Sequence, residues 1–166
     1  PLLTQAVEIR PDSATARNNL ATSFANVGKL DEAIRECRDA LRLDAGYQDA
    51  RYNLASVLAS KGDAQAALAE LSVYLRSSPE DVQALELAGR MQVAAGHTSE
   101  SLEYFRRAAV LSPLDGSVQT NLGAALAMTG DYAGAVQAFE AALKIDPTNR
   151  PARENLEQAR ARMQQK

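Results

Sequence analysis

The chain has 166 residues, 46% hydrophobic and 23% charged, which fits one folded domain and not a disordered segment. Its formal net charge of −3, with both signs interspersed, excludes the basic stripe of a nucleic-acid binder, and no apolar run reaches the length of a membrane span. Neither nucleic acid nor membrane insertion is therefore expected. The single cysteine, Cys37, rules out an internal disulfide and leaves the redox compartment open, so a soluble protein of the cytoplasm or periplasm is expected.

In chain order, residues 1–13 open on PLLTQAVEIRP and read as the second helix of a truncated unit. Leu2, Leu3, Ala6, Val7 and Ile9 would leave an uncovered apolar face, which predicts self-association through this half repeat. The first whole unit is 14–47. Leu20, Ala21 and Phe24 give its first helix one buried stripe, and Gly28 ends that helix. Unit 48–81 follows with Leu54, Ala55, Leu58 and Gly62, then 82–115 with Gly96. Unit 116–149 carries Gly130 and a second-helix stripe of Ala135, Phe139 and Ala142. Residues 150–166 form a C-terminal capping helix, with Leu156, Ala159 and Met163 turned inward.

Gly28, Gly62, Gly96 and Gly130 are spaced by 34 residues, and so are Asn19, Asn53, Asn121 and Asn155 once Leu87 fills the third place. A fixed period of this length is the signature of a repeat architecture. The segments NLATSFANVGKLDEAIRECRDALRLD and NLGAALAMTGDYAGAVQAFEAALKIDP resemble the tetratricopeptide repeat (TPR) family. The resemblance implies an all-α fold, a right-handed α-solenoid of antiparallel helix pairs forming the TPR superhelix. Several positions depart from the family pattern. Position 4 of each unit, often Trp in the family, is Arg17, Arg51, Leu85 and Gln119; position 27 is Tyr74 in the second unit; position 11 is Gln92 in the third.

At 100° per residue, positions 2, 5, 6, 9 and 13 lie opposite the core stripe of the first helix. The resemblance places this face on a concave wall that binds peptides. The candidate peptide-binding residues are Asn19, Tyr52, Asn53, Leu87, Arg90, Asn121 and Asn155. A carboxamide both donates and accepts, so spaced asparagines suit the backbone of an extended partner. The family's clamp for chaperone C-terminal carboxylates needs paired cations. The corresponding residues here, Asn18, Thr22, Asn53, Gln83 and Leu87, match it only at Asn53. A mostly neutral extended or helical segment is therefore the expected ligand.

The expected function is a non-catalytic protein–protein interaction scaffold that binds a peptide or protein segment. The alternatives are a structural self-assembly module and a regulatory TPR tail of a larger enzyme such as a glycosyltransferase. One histidine, His97 in a turn, builds neither a zinc site nor a His-paired nucleophile, and Cys37 falls on a core position. No catalytic residue, metal or cofactor is expected.

Overall fold

A computed structural model describes residues 12–165, which form nine α-helices and no strand. The apolar face expected on Leu2, Leu3, Ala6, Val7 and Ile9 lies outside the described residues. The helices are α1 Ala14–Asn26, α2 Leu30–Leu43, α3 Gln48–Lys61 and α4 Ala64–Ser77. They continue as α5 Val82–Ala94, α6 Thr98–Leu111, α7 Gly116–Met128, α8 Tyr132–Ile145 and α9 Arg150–Gln164. The odd-numbered helices begin at intervals of 34 residues.

The chain divides into two compact units, residues 1–79 and 80–166. In the first, α1 to α4 pack each on the next, and α3 also touches α1. In the second, α5 to α9 do the same, and α9 also touches α7.

The turns follow from local chemistry. Ser13, Asp63, Asp81, Asp115, Asp131 and Asn149 each accept a backbone N–H of the helix they start, satisfying donors that have no partner within the helix. Between paired helices the glycine takes φ from +75° to +87°, a left-handed conformation that a Cβ would strain.

At position 4 the family's aromatic gives way to a polar tie in each repeat but the third, where Leu85 is buried. Arg17 Nη1 lies 2.9 Å from Glu36 and 3.1 Å from Asp39, and Arg51 Nη1 lies 2.8 Å from Glu70, so each arginine links the two helices of its pair. Arg51, Gln119 and Arg153 also donate to the carbonyls of Ala45, Pro113 and Pro147, each six residues earlier in the preceding turn. These turn residues are exposed, so the bonds brace the turn against the following helix and do not rescue a buried carbonyl.

The core is filled by a size exchange between positions 8 and 24. In the first unit Ala21 and Ala55 pair with Cys37 and Leu71; in the second, Gly89 and Gly123 pair with Phe105 and Phe139. A Cβ on Gly89 would sit 2.7 Å from the Phe105 ring, and one on Gly123 would sit 2.6 Å from the Phe139 ring. The glycines therefore provide ring space at the helix–helix contact.

On α9 the buried side chains are Ala152, Leu156 and Ala159, whereas Met163 is 49% exposed and not inward as its spacing suggested. Met163 belongs to the final turn of the helix, where no later helix of the described residues packs over it.

Replacing Gly123 by Ala raises helix propensity by about 1 kcal/mol but overpacks Phe139 at a cost of about 1–3 kcal/mol. Urea unfolding should therefore show Gly123→Ala as destabilising in the native background. In a Phe139→Leu background the same change should stabilise. Stabilisation in both backgrounds would refute the packing explanation.

Candidate functional site

The two units carry the asparagine series differently from a simple ladder. In the first unit Asn53 Nδ2 donates to Asn18 Oδ1 at 2.9 Å and to Thr22 Oγ1 at 3.4 Å. In the second, Asn121 Nδ2 donates to Glu86 Oε1 at 2.6 Å. The Asn53–Asn18 and Asn121–Glu86 bonds run from position 6 of one first helix to position 5 of the preceding one, so these amides tie successive repeats. Asn155 occupies the same position on α9, and its side chain makes no hydrogen bond among the described residues. The reason is local: Thr120 Oγ1, its position-5 counterpart, donates to Gly116 O at 2.6 Å and accepts from Asn149 at 3.0 Å.

The other candidates divide by exposure. Asn19 and Arg90 are exposed. Tyr52 is half-buried, its ring centroid 5.4 Å from that of Tyr74, the aromatic that departs from the family at position 27. Leu87 is 7% exposed, so it belongs to the buried core and not to an open lining. Its periodicity placed it on a polar face, but an isobutyl side chain gains by leaving water wherever packing can cover it.

A cleft opens on this face in each unit. The first-unit cleft, about 350 Å³, lies between α1 and α3. Thr22, Ala25 and Asn26 form one side, Asn53, Ser56 and Ser60 the other, and Cys37 lies at the base. The second-unit cleft, about 500 Å³, lies between α7 and α9. Ala124, Ala127 and Met128 form one side, Asn155, Gln158 and Arg162 the other, and Phe139 lies at the base. Each of the nine residues lining the second cleft occupies the same repeat position as a residue lining the first, three repeat lengths along.

The sequence pattern located positions 6, 9 and 13 of these clefts, and of the candidate residues only Asn53 and Asn155 line them. It did not locate Leu30 and Tyr132, which enter from the second helix at position 17. The available signal was the pairing of an apolar position 17 with a small residue at position 12, Ala25 or Ala127.

Among the described residues no three His, Cys, Asp or Glu side chains gather as a metal site. No helix of the described residues is long and apolar enough to cross a membrane. His97 Nδ1 lies 3.0 Å from Oε1 of Gln92, the residue that departs from the family at position 11. Burial, helped by the neighbouring Glu36 charge, pushes the Cys37 thiol from 9.0 up to about 12.

The raised Cys37 pKa has a signed consequence. Above pH 9 the unfolded chain loses the thiol proton while the folded chain keeps it. The contribution is fully present below pH 9 and is lost as pH rises towards about 12. The difference in unfolding free energy between the native chain and Cys37→Ala should shift across this window, and Ellman's reagent should label Cys37 only when urea unfolds the chain. Rapid labelling of the folded chain would contradict this burial.

The tetratricopeptide repeat family model matches residues 1–48, 19–82 and 83–150, and the chain belongs to that family. Proteins of this family generally mediate protein–protein interactions and are typically non-catalytic scaffolds. Similar proteins include the TPR repeat-containing thioredoxin TTL4 of Arabidopsis thaliana, 36% identical over 72 residues that cover 43% of this chain and 11% of that protein. The peroxisomal targeting signal receptor of Yarrowia lipolytica is 30% identical over 152 residues, covering 86% of this chain and 25% of the receptor. The chain thus spans a minor part of either relative's length. Among solved structures, YrrB, described as a TPR protein with an unusual peptide-binding site, superposes with a TM-score of 0.86 at 25% identity, covering 99% of this chain and 84% of that one.

Proposed function

We propose that this chain is a non-catalytic binding module that holds a peptide or protein segment along the face of its first helices, with partner side chains entering the clefts. The recurrence of one cleft at the same repeat positions in both units carries this reading. Both volumes fall within the range of about 300–1,000 Å³ common to ligand sites. The description of YrrB as peptide-binding supports the reading.

The asparagines contribute unequally. Removing Asn53 or Asn121 would also cut a bond between repeats, worth about 0.5–1.5 kcal/mol each, so weakened binding in those variants would mix two effects. Asn155 is free of that complication. Exposed positions on the cleft rims, Ser60 and Gln158, give a cleaner test.

Random 12-residue peptides selected by display on the immobilised chain should include binders whose affinity is then read by fluorescence anisotropy. Ser60→Trp combined with Gln158→Trp fills both rims and should weaken those binders about tenfold or more, with the melting temperature unchanged. Equal affinity for the double variant would refute binding in the clefts.

A further inference from the structure

We infer that the second-unit cleft selects a bulky apolar side chain with an acidic residue directly beside it in the partner. This rests on the peptide-binding reading and assigns the chemistry of one of its two subsites.

The contrast between matched positions carries the assignment. Where the first cleft has Asn26, Leu30 and Cys37, the second has Met128, Tyr132 and Phe139. Phe139, like Cys37, is fully buried beneath the cleft, so the accessible change is at one wall, where Met128 and Tyr132 replace Asn26 and Leu30 and give a broader apolar and aromatic surface that rewards a Leu, Met or Phe side chain by area. Thioether and aromatic groups also adapt to several apolar shapes.

The charge changes at one position. Ser60 of the first cleft becomes Arg162 in the second, and no acidic residue lines either cleft. The other arginines of α9 are engaged: Arg150 with Glu154 at 2.6 Å, Arg160 with Glu140 at 2.7 Å, and Arg153 with the Pro147 carbonyl. Arg162 makes no ion pair or side-chain hydrogen bond among the described residues. The Asn155 carboxamide across from Met128 is likewise uncommitted. A planar guanidinium and amide donors beside an apolar base complement a carboxylate held next to an apolar side chain. The first cleft has no charged lining residue, so it imposes no charge preference.

The test uses the same library of random 12-residue peptides. It is selected on the native chain, on Arg162→Glu and on Arg162→Gln, and each recovered pool is sequenced. Arg162 is exposed, so both variants should keep the native circular dichroism spectrum and melting temperature. The native pool should be enriched about tenfold in Leu, Met or Phe adjacent to Asp or Glu. Arg162→Gln should remove the acidic preference and keep the apolar one, and Arg162→Glu should replace Asp and Glu by Lys and Arg. Pools that contain binders but show no apolar–acidic pairing, or the same pairing in all three proteins, would overturn the assignment while leaving peptide binding intact. A native pool without binders would overturn both.

Discussion

The first helix of a pair can approach the second only as closely as the residue at position 8 permits, and the side chain at position 24 must fill whatever space is left. Gly89 with Phe105 and Gly123 with Phe139 meet that constraint with a ring against bare backbone; Ala21 with Cys37 and Ala55 with Leu71 meet it with a methyl against a smaller partner. Interiors are packed as tightly as organic crystals, so one side of this exchange cannot change alone without a void or a clash. Position 24 is also the base of the cleft, Cys37 in the first unit and Phe139 in the second. The contact that closes a helix pair therefore lies directly beneath the cleft floor.

Polar ties are built onto this frame. Arg17 and Arg51 link the helices within a pair, while Asn53 and Asn121 link successive first helices. A carboxamide bound to its neighbour is held in one orientation and has one donor fewer for a ligand. Where the neighbour is already satisfied, as Thr120 is by Gly116 and Asn149, the carboxamide of Asn155 stays available. The same residue type at the same repeat position thus ties repeats in two places and is left without a side-chain bond in a third.

The 34-residue spacing, the turn glycines and the apolar stripes made the helices and the family legible, because periodic burial and left-handed turns are dictated locally. The site was legible only as a face. Whether Asn53 meets a ligand or Asn18 depends on the length and direction of a side chain from another repeat, which periodicity does not encode. Leu87 was misplaced for a similar reason: its position marks an angle around the helix, not what packs there. Met163 has the right angle but lies in the last turn of α9, where nothing among the described residues covers it. The exchange of Ala for Gly opposite Phe was visible in the letters, but its meaning required the ring distances at Gly89 and Gly123.

Reception of a partner segment in the clefts is tested most directly by titrating a display-selected peptide into the ¹⁵N-labelled chain and following side-chain resonances. Occupied clefts should move the Asn155 carboxamide and the Arg162 Nε–H signals while leaving that of Arg35, exposed on α2 and lining neither cleft, in place. Saturating binding that shifts Arg35 and leaves Asn155 and Arg162 unmoved would contradict it.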